Sequence, residues 1–194
     1  LDLENKSIQI NQTEPGTRAF IIGGSLEDYQ INFNGYDIIA WNENAKLKLF
    51  PINYPINERG LTGCLSLINI ELKNINIFAK NSSCEDTVNF INARGEVNNI
   101  EIYNSFSDAL DIDFSKLNFK NIKIENALND CADFSAGKYI LGNLNLINCG
   151  DKGLSIGERS LINLEKILVQ NANIGIATKD SSFLKLNTGV MSNL

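Results

Sequence analysis

Between Asn99 and Asn171, apolar and polar positions alternate in short runs that return at a fixed interval. The runs are Asn99-Ile-Glu-Ile-Tyr-Asn104, Asn121-Ile-Lys-Ile-Glu-Asn126, Asn143-Leu-Asn-Leu-Ile-Asn148 and Lys166-Ile-Leu-Val-Gln-Asn171, and their closing asparagines are 22, 22 and 23 residues apart. Inside each run the pairs Ile100/Ile102, Ile122/Ile124, Leu144/Leu146 and Ile167/Val169 recur with period two, the pattern of a strand with one inward face. Such a unit is too small to bury that face alone. It becomes stable only when each coil lies on the one before it, as in a solenoid.

A second run follows each asparagine. It places Val88, Leu110, Ala132, Leu154 and Ile176 in one column and Phe90, Ile112, Phe134, Ile156 and Thr178 in another, each with a step of 22. A third apolar stretch (Leu117/Phe119, Tyr139/Leu141, Leu161/Leu164) closes the coil. Three short strands per coil predict an all-β fold, a right-handed parallel β-helix. The leucine-rich repeat has a similar period, but its LxxLxLxxN signature and helical half are missing. Carried through the bend, the same parity turns Asn104, Asn126, Asn148 and Asn171 inward. There their amides would form a ladder at the spacing of adjacent strands, about 4.8 Å.

The register predicts a single domain over residues 1–194, with N-terminal coils and a cap in 1–60 and regular coils in 61–194. Residues 20–26 and 29–33 resemble early coils, while 42–59, with Pro51 and Pro55, reads as an inserted loop. Open solenoid ends need protection against edge pairing. The 42–59 loop and the 187–194 tail are the candidate caps.

Composition narrows the function. Asparagine supplies 29 of the 194 residues, and the net charge is −6. An acidic chain lacks the basic face that phosphate neutralisation requires, so no nucleic acid partner is expected. The apolar runs are too short for membrane insertion. The absence of histidine removes His-based triads and His-ligated zinc. Cys64, Cys84, Cys131 and Cys149 show no CxxC spacing. Cys64 and Cys84 lie about one coil apart and are either bridged or free, whereas Cys131 and Cys149 are expected to be free and to fill small buried niches.

Aspartates gather after the bends. Asp86, Asp108 and Asp130 align in one column, with Lys152 next; Asp111 and Asp133 align in a second, between Asn89 and Ser155, with Asp113 beside them. The parity opposite to Leu110 and Ile112 turns Asp111, Asp113 and Asp133 outward. Stacked like charges repel, which leaves three readings open. The aspartates form Asx-turns at tight corners; they hold a hard cation such as calcium without catalysis; or they line a catalytic cleft with Lys152 as base.

Asp108-Ala-Leu-Asp111, Asn129-Asp-Cys-Ala-Asp133, Cys149-Gly-Asp-Lys-Gly-Leu-Ser-Ile-Gly-Glu158 and Asn173-Ile-Gly-Ile-Ala-Thr-Lys-Asp180 resemble β-helix repeats of the pectate-lyase-like superfamily. More narrowly, they look like those of bacterial secreted or cell-surface modules. The resemblance implies polysaccharide as the partner. Carried over from calcium-dependent lyases of this type, Asp108, Asp111, Asp130 and Asp133 would be ligands of Ca2+ and Lys152 the base for β-elimination or epimerisation of a uronate polymer. In both Asp-x-x-Asp turns alanine stands where those lyases have glycine. A non-catalytic binding module and a structural or phage-spike-like segment are the alternatives, the chain being a monomer or a homotrimer.

Overall fold

The computed structural model describes residues 1–36 and 60–194. They form a parallel β-solenoid of about seven turns, with about 22 residues per turn and no helix among the described residues. The strands are β1 (Ser7–Asn11), β2 (Ala19–Ile22), β3 (Ser25–Glu27), β4 (Gln30–Asn34), β5 (Gly63–Ile68), β6 (Glu71–Lys80), β7 (Asp86–Ile91), β8 (Arg94–Ser105), β9 (Asp108–Asp113), β10 (Lys116–Ala127), β11 (Ala132–Ser135), β12 (Lys138–Gly157), β13 (Leu161–Thr178) and β14 (Phe183–Ser192). Two strips of parallel pairing run along the solenoid. One joins β2, β5, β7, β9, β11 and the end of β12; the other joins β1, β4, β6, β8, β10, β12, β13 and β14.

The register is the one the sequence predicts. Ile100 pairs with Ile122, Ile122 with Leu144 and Leu144 with Ile167. The column also extends back through Ile77 and Ile31 to Ile8, in a coil that the sequence pattern did not identify. On the other strip, Val88, Leu110, Ala132 and Leu154 stack, as do Phe90, Ile112, Phe134 and Ile156, all of them fully buried. Phe90, Phe119, Phe134 and Tyr139 continue the interior as edge-to-face aromatic contacts with centroids 4.9–6.2 Å apart.

The corners explain the asparagines. Asn104, Asn126, Asn148 and Asn171 have φ of 59°, 65°, 58° and 57°. Asparagine tolerates this left-handed conformation better than other side-chain-bearing residues do. Each amide Nδ2 donates to the Oδ1 of the coil before: Asn104 to Asn81 (3.1 Å), Asn126 to Asn104 (3.0 Å), Asn148 to Asn126 (2.9 Å), Asn171 to Asn148 (2.8 Å) and Asn193 to Asn171 (2.9 Å). The ladder is as expected, but the inward orientation is corrected. A residue in the left-handed region breaks the strand alternation, so parity does not carry across the bend, and the side chains line the corner half-buried or exposed. A second ladder, of Asn76, Asn99, Asn121 and Asn143, stands on the outer surface with bonds of 2.7–3.0 Å.

Two disulfides tie adjacent coils. Cys64 bonds Cys84, one of the two states left open above. Cys131 bonds Cys149, with Cα atoms 5.3 Å apart, which corrects the expectation of two free thiols; only their burial was anticipated. Gly95 shows how closely the coils approach: at φ 116°, a Cβ there would lie 1.9 Å from the Leu72 carbonyl oxygen. The expected cap at 187–194 is also corrected, because residues 187–192 belong to β14 and pair in parallel with β13 as a further coil. The expected loop at 42–59 lies outside the described residues. At the N-terminal end, Asp2 and Ser7 form an antiparallel bridge and Asp2 accepts from the Asn5 amide, which closes the chain over β1.

Two outcomes follow. Asn126→Ala removes two ladder bonds and forces alanine into a left-handed corner, a loss of about 3 kcal/mol, whereas Asn126→Gly should lose about 1 kcal/mol less; denaturant unfolding measures both, and equal losses would contradict the backbone account. The protein unfolded without reductant should show no reactive thiol. Cys131→Ser with Cys149→Ser should lower stability by about 3 kcal/mol, since the bridge closes a loop of roughly coil length.

Candidate functional site

The acidic residues separate into two groups with different chemistry. Asp86, Asp108 and Asp130 begin the first strip at the corner after the bend. Asp108 Oδ1 accepts from the Asp130 amide (2.8 Å) and from Asn129 Nδ2 (2.7 Å). Asp130 Oδ1 accepts from the Lys152 amide (3.0 Å), so Asp108 and Asp130 each hold the backbone of the next coil, while Asp86 Oδ2 is buried without a partner. This is corner chemistry of the Asx-turn kind, repeated across coils rather than within one.

Lys152 ends that column. Its Nζ lies 3.2 and 3.3 Å from the Asp130 oxygens and also donates to Asp151. The Asp151 hydrogen bond and the two negative charges raise its pKa. A base needs the opposite shift, so this setting works against the role that the resemblance implies.

The second group faces outward from the same strip. Leu110 and Ile112 point into the core, which turns Asp111 and Asp113 of β9 to the other side, half-buried. Asp133 of β11 is in register with Asp111. The whole column reads Ser66, Asn89, Asp111, Asp133, Ser155. Asn89 Nδ2 donates to Asp111 Oδ2 at 2.8 Å and reaches Asp113 Oδ2 at 3.5 Å. The remaining atoms of the column are buried and unpartnered: Ser66 Oγ, Asn89 Oδ1, Asp133 Oδ1 and Ser155 Oγ.

Burial is the main force on these carboxyls, followed by mutual repulsion. Burial, with the charges of Asp86, Asp113 and Asp133, pushes Asp111 up to about 10. Burial also raises Asp113, against hydrogen bonds from Asp111 and Asn89, with Glu158 and Asp133 adding repulsion. In the corner column, burial lifts Asp86 to about 7 and Asp108 to about 6. Burial and the closeness of Asp111 and Asp113 thus both oppose ionisation, since two close carboxyls resist carrying charge together.

The four expected ligands thus divide. Asp111 and Asp133 stand together on the outward face, whereas Asp108 and Asp130 are engaged by backbone amides at the corner. Among the described residues, no group of three or more Asp, Glu, Cys or His side chains is drawn together closely enough to hold a metal ion. Arg18 was missed in the sequence. Its guanidinium donates to the Thr62 and Gly63 carbonyls, and it lies near enough to Asp86 and Glu85 to feel their charge. The signal that would have revealed it, the pairing of β2 with β5, spans 46 positions of sequence and so escapes a 22-residue search. Comparison with protein-family models, with curated proteins and with solved structures gives no match to this chain.

The raised carboxyls set a pH dependence. Unfolded aspartates ionise near pH 4, while Asp108, Asp86 and Asp111 hold their protons to about 6, 7 and 10 in the folded chain. In that window the folded chain binds more protons, so stability is fully present below about pH 4 and falls as pH rises through those values. The melting temperature should be lower at alkaline than at mildly acidic pH. Asp111→Asn should raise it on the alkaline side and flatten the slope, and an unaltered slope would show that Asp111 is not the carboxyl concerned.

Proposed function

We propose that this chain is a secreted or cell-surface β-helix module that binds polysaccharide along the outward face of β5, β7, β9, β11 and the end of β12. The observation that carries the reading is the column Ser66–Asn89–Asp111–Asp133–Ser155. Five successive rungs present polar side chains, and four of these have a buried atom without a partner. Buried polar atoms without partners are unfavourable, by about 1–3 kcal/mol each. Ser66, Asn89 and Ser155 are fully buried, whereas Asp111, Asp113 and Asp133 are only half-buried, so the carboxyls are the groups a ligand along this face reaches. Rungs recurring at about 4.8 Å suit an extended polymer better than a compact metabolite.

Binding without turnover is favoured over the lyase alternative, because Lys152 is engaged by Asp130 and Asp151 and two of the four expected ligands are engaged by backbone amides. The two disulfides support an oxidising compartment and hence secretion or surface display.

Affinity electrophoresis through gels of immobilised polysaccharides, with calcium or with chelator, tests the proposal. At least one polymer should retard the protein, and Asp133→Ala should weaken that binding about tenfold, the equivalent of one charge-assisted hydrogen bond. Retardation unaltered by Asp133→Ala, or no retardation by any polymer, would count against it.

A further inference from the structure

We infer that Phe114 is the stacking platform at the rim of this face, and that the sugar it takes is a neutral pyranose with an unbroken C–H face. The inference rests on the polysaccharide reading above and adds the residue that holds the ring and the class of sugar.

Phe114 stands where the fold favours asparagine. The corner after each strand of the first strip holds a left-handed residue: Asn69, Asn92, Phe114 and Ala136 have φ of 52°, 50°, 51° and 48°. The amides of Asn69, Asn92 and Phe114 donate in the same way to the following coil, to the carbonyls of Ile91, Asp113 and Ser135. Asparagine suits this conformation, and a bulky side chain there is an outlier. Asn92 Nδ2 also donates to Asn69 Oδ1 at 2.7 Å, and this side-chain ladder stops at Phe114. The phenyl gains no burial in exchange, since Phe114 is 62% exposed. A residue that is strained, ends a ladder and stays in solvent does nothing for the fold that asparagine would not do. Departures of this kind point to a ligand rather than to stability.

The surroundings define what stacks there. Phe114 follows directly on Asp113, the last residue of β9, which is half-buried on the outward face. Ser135 is in register with Asp113, and Glu158 lies near enough for its charge to act on that carboxyl. On the next coil the equivalent corner residue is Ala136, so the side chain there is only a methyl group. An apolar plate bordered by hydroxyl and carboxyl groups suits a ring that is apolar on its face and polar at its edge. A pyranose is such a ring. Its axial C–H groups meet the negative face of the phenyl, while its equatorial hydroxyls reach Asp113. An ionised carboxyl accepts from a hydroxyl and a protonated one both donates and accepts, so the contact holds in either state. A lipid chain or an apolar peptide side chain would leave those polar groups without partners. A uronate would bring a like charge to Asp113 and Glu158.

Calorimetry in the presence of chelator, with a hexamer of β-1,4-linked glucose and a galacturonate hexamer, tests the site. The glucose hexamer should bind and the galacturonate should not. Phe114→Ala should weaken binding about tenfold, and Phe114→Leu nearly as much, because leucine offers apolar surface without a ring face. Phe114→Trp should keep it. Phe114→Asn should lose binding as Phe114→Ala does, yet raise the melting temperature by about 3 °C, since it relieves the corner and extends the ladder. Ile140→Ala, at an exposed apolar residue of the other strip, should leave binding as it was. Unaltered affinity in Phe114→Ala overturns the platform, as does an equal loss in Ile140→Ala. A melting temperature that falls in Phe114→Asn makes Phe114 a structural residue and overturns it too. Full affinity in Phe114→Leu overturns stacking, and tighter binding of galacturonate overturns the neutral sugar. Retention on vesicles of neutral phospholipid that Phe114→Ala abolishes overturns the sugar in favour of a lipid surface. Binding of neither hexamer, while an immobilised polysaccharide still retards the protein, overturns this inference alone; where no polymer retards it, the polysaccharide reading falls as well.

Discussion

Parallel strands in register place every side chain above and below its own equivalents, and most of this molecule follows from that constraint. For apolar residues the outcome is favourable at once: Ile100 on Ile122 on Leu144 makes a dry column without any need for varied shapes to interlock. For amides it is favourable too, because each donates one way and accepts the other, as in the ladder from Asn81 to Asn193. For carboxylates it is unfavourable, since identical anions are brought to strand spacing. Among the described residues the first two outcomes recur along the solenoid, and the third is confined to the strip around β9 and β11.

The backbone corners explain what was legible in the sequence and what was not. The spacing of Asn104, Asn126, Asn148 and Asn171 gave the coil length, and the alternation around Ile100 and Leu110 gave the columns; both survive because they depend on period alone. Side-chain direction at the bend did not survive, since a left-handed residue resets the alternation and a one-dimensional pattern carries no record of it. The Cys131–Cys149 bridge was hidden for a related reason. Its partners belong to different columns, with equivalents in Ser105, Ala127 and Ala172 for one and Ala109 and Gly153 for the other. Only the fold of the corner brings them together.

The candidate site was half legible. Alignment by 22 residues put Asp111 beside Asp133, which the register confirms. It gave equal weight to Asp108 and Asp130, because spacing does not reveal what a carboxyl oxygen accepts from. In the folded chain those two aspartates receive backbone amides of the next coil, whereas Asp86 Oδ2 at the head of the same column is buried without a partner. Three residues further on, the oxygens of the outward column meet no such donor. The difference between a structural aspartate and a functional candidate is here a difference in neighbours, not in residue type.

That contrast bears on why the outward column exists. A sheet that needed only stability would place threonine or asparagine at Asp111 and Asp133, as it does at Thr87 and in the surface ladder of Asn76, Asn99, Asn121 and Asn143, where every rung has a partner. Instead the chain holds neighbouring carboxyls that burial and mutual repulsion push up, in a column that ends in the unpartnered hydroxyls of Ser66 and Ser155. Strain of this kind persists where the surrounding structure over-determines it, and it clusters where a ligand relieves it. The rigid interior supplies the over-determination: Leu110, Ile112, Ala132 and Phe134 fix the backbone of β9 and β11 from beneath, so the acidic side chains cannot move apart without breaking the columns that hold the solenoid together.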